Sequence, residues 1–205
     1  MYQRFFGIGK EFYRIAEPKS EEEMAGVLRL RCSVVCDEDG FKERESFPDG
    51  LEKDRYDDYS DYLAIFDDSD SAAACIRIVH HSPVGYPMEE IFGPVIERLP
   101  HPKEACGEVS RFFIRQDCRN LAFTHLFFEA VKEWYCQKSE QIGVYWTVSA
   151  VEETFLKLLN RHGYPFRKFG EGKRYAGKIR FPALLSQKEL CCGQQIKRVR
   201  HENAQ

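Results

Sequence analysis

The clearest helical patterning begins after Pro18-Lys19-Ser20, where three glutamates precede apolar Met24, Val27, Leu28, Val34 and Val35 at helical spacing. Ser20 and Glu23 stand three apart, as a capping box requires, so a helix is predicted to open there. Ahead of it, residues 11–16 form a short extended segment. Residues 62–66 and 72–79 are apolar runs split by the Asp-rich turn 67–70, which predicts a hairpin. Downstream, 108–115 predicts a strand and 124–138 an amphipathic helix turning Leu126, Phe127, Ala130, Val131 and Trp134 inward. Residues 143–148 predict a strand, 150–162 a helix ended by Gly163, and 166–169 and 175–181 two last strands.

Two irregular stretches interrupt this series. Residues 37–61 are acidic, with turn formers at Gly40, Pro48 and Gly50, and predict a loop or short helix. Residues 80–107 carry prolines at 83, 87, 94, 100 and 102 and predict a long connection with a short helix near 89–98. Loops of that length are often functional. The tail after Pro182 ends in Lys197-Arg198-Val199-Arg200-His201 and is expected to fray or to pack as an extra helix. The order β–α–(α)–β–β–β–α–β–α–β–β implies one domain over 1–205, with a core at about 12–182 and a tail at 183–205. The fold class is α+β, a mixed and mostly antiparallel sheet flanked by helices.

Composition narrows the classes. With 43% hydrophobic and 31% charged residues the chain has the make-up of a soluble globular protein. A net charge of -3 excludes a general nucleic-acid binder. No apolar run approaches the roughly 20 residues of a membrane helix, and the start has no signal-peptide pattern, so a cytoplasmic location is expected. The cysteines at 32, 36, 75, 106, 118, 136, 191 and 192 form no C-x-x-C unit. Most are therefore expected to be reduced, and no metal site is expected.

The candidate chemistry lies in two acidic motifs, Glu52-x-Asp54-x-x-Asp57 and Glu108-Val109-Ser110-Arg111-Phe112, with the strand arginine Arg77 between them. Spacing alone allows the first motif to be a solvated acidic loop. With Arg31, Arg77 and Arg111 the same carboxylates could form a fixed, charge-assisted network shaping a site. Its carboxylates would hold a substrate ammonium and an arginine would clamp a substrate carboxylate. Glu108 is the candidate general base, or else a scaffold partner of Arg111 or Arg77. Ser110 is a leaving-thiolate donor or a structural hydroxyl. His80, His81 and His101 read as solvated loop histidines.

The run Arg31…Phe41…Glu52-x-Asp54-x-Tyr56-Asp57, then Arg77, then Glu108-Val109-Ser110-Arg111-Phe112, resembles the autoinducer (acyl-homoserine lactone) synthase superfamily. It is most similar to the exosortase-associated acyltransferases and long-chain N-acyl amino acid synthases, as is the end Tyr175-Ala176-Gly177-Lys178-Ile179-Arg180-Phe181-Pro182. The resemblance implies a GNAT-like acyltransferase fold and transfer of a fatty acyl group from a carrier thioester to an amine. It implies substrate-binding roles for Arg31, Phe41, Glu52, Asp54, Asp57, Arg77, Ser110, Arg111 and Phe112. No tightly bound cofactor or metal is implied; acyl carrier protein, or acyl-CoA, would bring the donor.

Ordinary acetyltransferases cradle pyrophosphate on a glycine-rich helix start. Here residues 115–124 place Ala122 and Thr124 where glycines would stand, which favours acyl carrier protein over coenzyme A. The basic stretch 157–180 would steer such an acidic partner, or simply be a solubilising surface. Phe112, Phe113, Phe123, Phe127, Phe128, Trp134 and Trp146 are core residues or the lining of an acyl tunnel. Two alternatives stand. One is a homoserine lactone synthase using S-adenosylmethionine, where Val35 and Phe41 replace an aromatic and a tryptophan. The other is a non-catalytic module that docks acyl carrier protein or a lipid.

Overall fold

The computed structural model describes residues 2–192. The chain divides into two compact units: one takes the residues up to Val79 and Ser110–Val131, the other His80–Val109 and the residues from Lys132 onward. Among the described residues there are nine strands and four α-helices with shorter turns, an α+β fold with a mixed sheet.

In the first unit, β1 (Gln3–Ile8), β2 (Glu11–Ala16), β3 (Ser60–Phe66) and β4 (Ala72–His80) follow one another as antiparallel neighbours. The second half of β5 (Cys106–Ile114) belongs to this unit. Helix α1 (Glu21–Cys32) opens as expected. Ser20 Oγ accepts from the Glu23 amide at 3.1 Å, and the Glu23 carboxylate accepts from the Ser20 amide. The helix then widens into a π-helical turn over Ser33–Glu38. Its inner face, Val27, Leu30 and Val34, packs with Tyr62, Ala64, Phe66, Ala72 and Cys75 into an apolar core. Burying such side chains contributes roughly 1.5–3 kcal/mol each.

In the second unit the start of β5 pairs parallel with β6 (Trp146–Glu152), Cys106 facing Trp146 and Glu108 facing Val148. A parallel pair needs a long crossover, and α3 (Leu121–Gln141) lies in that connection. β9 (Lys178–Ser186) runs antiparallel to β6 and carries the short β7 (Arg167–Lys168) and β8 (Lys173–Tyr175). Helices α2 (Glu89–Phe92) and α4 (Glu153–Arg161) complete it, and Gly163 follows α4 at φ +78°.

Several boundaries differ from the sequence expectations. β1 was not expected, because it is an outer strand with little buried surface and therefore shows no alternation. β6 continues to Glu152 and delays α4, since its residue-by-residue pairing with β9 runs from Trp146–Ser186 to Glu152–Arg180. β9 passes through Pro182, where a strand end was expected, and buries Ala183 and Leu185 before a helical turn at 187–192. The rest of the expected tail lies outside the described residues. Six cysteines are free thiols, in line with the expectation that most are reduced, while Cys136 and Cys191 form a disulfide.

Candidate active site

All three carboxylates of the first acidic motif lie in the first unit, on a segment folded by its own side chains. The Glu52 amide bonds Leu28 O of α1 at 3.2 Å. Asp54 Oδ1 accepts from the Tyr56 amide (3.0 Å) and Asp57 Oδ2 from the Asp54 amide (2.8 Å), the local turns that aspartate favours. One oxygen of each aspartate thus fixes the backbone.

Three arginines from three elements meet these acids. Arg31, near the end of α1, donates to Glu52 Oε2 (2.7 Å), Asp57 Oδ1 (2.7 Å) and the Tyr62 hydroxyl (2.6 Å). Arg77 of β4 donates through Nη1 to Asp54 Oδ1 (2.7 Å) and Asp57 Oδ1 (2.6 Å), and through Nε to Ser110 Oγ (3.1 Å). Arg111 of β5 grips Glu52 with two hydrogen bonds, 3.1 and 2.7 Å, and reaches Asp54 Oδ2 at 3.1 Å. Arg31, Glu52 and Arg77 are fully buried. Ser110 therefore accepts from Arg77. Tyr62 and Lys42 join the network without having been singled out from sequence. Tyr62 donates to Asp57, and Lys42 Nζ reaches Glu52 Oε1 at 2.9 Å.

Burial alone would push the Glu52 and Asp57 carboxyls up, but the guanidinium groups overcome it. Arg111 and Arg31 hold Glu52 down at about 2. Arg31, with Arg77 and the Tyr62 hydroxyl, holds Asp57 well below the usual carboxylate range. Burial pushes the Tyr62 phenol up, so it stays a neutral donor. Among the described residues the network has four cations (Arg31, Arg77, Arg111, Lys42) against three carboxylates (Glu52, Asp54, Asp57), one positive charge in excess. Arg77 Nη2 is buried without a hydrogen-bond partner among them.

Phe41 closes the π-helical turn through its amide on Val35 O (2.8 Å). Phe112 packs on Phe127 and Phe128, with ring centres 4.7 and 4.8 Å away. Glu108 belongs to the second unit, where it is 2% exposed and its Oε2 accepts from the Met88 amide at 2.8 Å. Burial pushes the Cys106 thiol up to about 11, so it is no activated nucleophile. His101 stacks on Trp146 at 3.6 Å between ring centres, which replaces the expectation of a solvated loop histidine. Among the described residues no cluster of three His, Cys, Asp or Glu is placed to hold a metal ion.

The stretch before α3 is also spoken for. Arg115 bonds Asp67 and Asp117, and Arg119 bonds Glu38 and Ile114 O. Asn120 Oδ1 caps α3 on the Phe123 amide at 2.9 Å. In the second unit much of the basic stretch 157–180 is locally paired. Lys157 and Lys168 meet Glu153, Lys178 meets Glu152, and Arg167 meets Glu189.

Comparison with solved structures gives the fold family. BjaI, a CoA-dependent acyl-homoserine lactone synthase solved with SAM and isopentyl-CoA, aligns at TM-score 0.66 and 19% identity, covering 84% of this chain and 80% of that one. FeeM, an N-acyl amino acid synthase from uncultured soil microbes, aligns at TM-score 0.66 and 16% identity over 90% and 95%. At such identities the likeness is one of fold alone. The sequence reaches further. The autoinducer synthase family matches residues 16–190. An acyl-homoserine-lactone synthase of Agrobacterium fabrum (strain C58) is 30% identical over 158 residues, 70% of this chain and 72% of that protein. The chain belongs to the autoinducer synthase family and is an amide-forming acyltransferase.

Proposed function

We propose that the protein moves a medium or long fatty acyl group from an acyl carrier protein thioester to the amino group of an amino acid. The observation that carries this reading is the buried Arg77 Nη2 without a hydrogen-bond partner among the described residues, in a network where the partly exposed Lys42 makes the fourth cation against three carboxylates. An acceptor carboxylate would supply the missing negative partner, while Asp54 or Asp57 would attract the ammonium before it is deprotonated. Arg31, Phe41, Glu52, Asp54, Asp57, Arg77, Ser110, Arg111 and Phe112 would shape the acceptor and acyl positions.

Aminolysis needs a neutral amine. Glu108 takes the ammonium proton, and the nitrogen lone pair attacks the thioester carbonyl. The C–N bond forms, the tetrahedral oxyanion collapses, and the C–S bond breaks. Glu108 loses that first proton to solvent, takes the second one that the attacking nitrogen gives up, and passes it to the thiolate, leaving amide, free carrier thiol and one released proton. Backbone N–H groups around Arg111–Phe113 would stabilise the oxyanion. Arg111 stands there at φ +53°, a left-handed position.

Acyl carrier protein rather than coenzyme A is supported by the engagement of Arg115 and Arg119 with acidic partners and by the Asn120 cap, which occupies a helix start that a pyrophosphate would need. A cytoplasmic location fits the absence, among the described residues, of any helix long and apolar enough to cross a membrane.

A second reading, homoserine lactone synthesis from S-adenosylmethionine, is favoured by the 30% identical Agrobacterium relative. One assay separates the two: acyl carrier protein thioester or acyl-CoA is incubated with pooled amino acids or with S-adenosylmethionine, following free thiol and product mass. Thiol release with amino acids and a new amide is expected. Release only with S-adenosylmethionine selects the second reading.

A further inference from the structure

The segment 82–92 of the second unit is built around Glu108. Gly85 turns the chain at φ +82°, and a Cβ there would lie 2.9 Å from Glu89 Oε2. That same oxygen accepts the Tyr86 amide at 3.1 Å. The turn delivers the Tyr86 phenol to Cys106 O (3.0 Å) and the Met88 amide to Glu108 Oε2 (2.8 Å). Tyr86, Met88 and Glu108 are 1%, 0% and 2% exposed. A loop that merely joined two strands would have no need to bury an amide against a carboxylate.

We propose that Met88, locked in place by Tyr86, is the positioning element of Glu108. This rests on Glu108 being the general base. A buried carboxyl tends to hold its proton, and a protonated one cannot accept another from an amine. A hydrogen bond from an amide to the ionised form opposes that tendency and fixes the rotamer. Met88 N–H therefore does two jobs: it aims the carboxylate and favours its ionised form. The titratable groups of this turn, and Cys106 on the same strand as Glu108, add no positive charge. Tyr86 and Cys106 are pushed up by burial, to about 12 and about 11, and stay neutral, while Glu89 is an acid. Val148, opposite Glu108 on β6, carries no charge.

Two substitutions separate the amide from the side chain. Met88→Pro deletes the N–H at a residue whose φ of -66° suits the proline ring, and its carbonyl can still accept from the Ile91 and Phe92 amides. Met88→Ala truncates the same buried side chain but keeps the N–H. Losing a hydrogen bond to the charged form raises the carboxylate pKa, so the acid limb of the kcat–pH profile moves to higher pH. In Met88→Pro the limb is expected to rise by about one to two pH units, with turnover below it falling roughly 10- to 100-fold and recovering at high pH. In Met88→Ala it should stay in place. Limbs that coincide in the two variants overturn the proposal. If circular dichroism shows Met88→Pro unfolded, Tyr86→Phe replaces it: a smaller upward shift supports the proposal and an unmoved limb overturns it. Glu108→Gln is measured alongside. Full activity there removes the base reading itself, whereas an inactive Glu108→Gln with coincident Met88 limbs removes only the positioning role.

Discussion

Arg111 holds Glu52 through two hydrogen bonds from a backbone position, φ +53°, that non-glycine residues seldom occupy. Such a conformation costs on the order of 1–3 kcal/mol, and a part-buried bidentate ion pair is the kind of contact that can hold it in place. Glu52→Gln would leave Arg31 and Arg111 facing a neutral amide. Breaking a buried pair from one side typically costs about 3–5 kcal/mol. A domain of this size loses roughly 2–4 °C of Tm per kcal/mol, so a fall of about 6–20 °C is expected by calorimetry. Arg111→Lys keeps the charge without the fork and should fall between Glu52→Gln and wild type. A Tm within 2 °C of wild type for Glu52→Gln, as a rough threshold on the same scale, would mean that the network does not hold the fold.

The same carboxylates set an acid limit on stability. Glu52 is drawn from an ordinary 4.5 to about 2, and Asp57 is also lowered. The unfolded chain therefore binds more protons than the folded one in that interval. Their contribution is fully present above about pH 4.5 and drains away as pH falls toward 2. Urea midpoints should stay flat from pH 7 to about 5 and then decline. The Glu52→Gln variant should decline less steeply; an identical slope would assign the acid sensitivity to other groups.

Asp57 Oδ1 collects Arg31, Arg77 and the Tyr62 hydroxyl. Tyr62→Phe removes one of these donors and leaves Arg31 Nη1 short of an acceptor. A loss of about 1–2 kcal/mol in urea unfolding is expected. A double-mutant cycle with Asp57→Asn should show coupling of about 0.5–3 kcal/mol. Strict additivity would show that the hydroxyl contributes independently of the aspartate.

The donor reading has its own kinetic signature. Arg115 and Arg119 are tied to Asp67, Asp117 and Glu38, so Arg119→Ala should leave KM for the acyl donor unchanged within about twofold, a conventional margin far below a lost phosphate contact. A tenfold rise for acyl-CoA would instead mark Arg119 as a pyrophosphate ligand. Asn120→Ala should cost about 1 kcal/mol of stability through the lost cap, with no change in donor KM.

How much of this was legible in the sequence depends on the kind of residue. Arg31 and Arg77 stand out because charges in or beside apolar runs need partners, and Glu52, Asp54, Asp57 and Arg111 stand out in their company and through the family resemblance. Tyr62 does not, because its role depends on register. Phe66 pairs with Ala72, but Ile65 pairs with Ala74, so β4 carries one extra residue and Tyr62 comes to face Arg77. Counting back evenly from the turn would set Ile76 there instead. Lys42 is hidden for another reason: it comes from an irregular loop whose path depends on tertiary contacts. The end of β6 was likewise misplaced because its strand state comes from pairing with β9, which local periodicity does not reveal.

That extra residue in β4 also bears on how the chain finds its fold. From Ala72 to Val79 the strand is buried throughout, on both faces, and all but one of its side chains are apolar. Hydrophobic burial would scarcely distinguish the native pairing from one slipped by a single position. Arg77 does: slipped by one, its guanidinium would turn away from Asp54 and Asp57 and enter the interior without them, at a cost of several kcal/mol. The arginine thus marks the register of a strand that would otherwise have two nearly equivalent ways to pair.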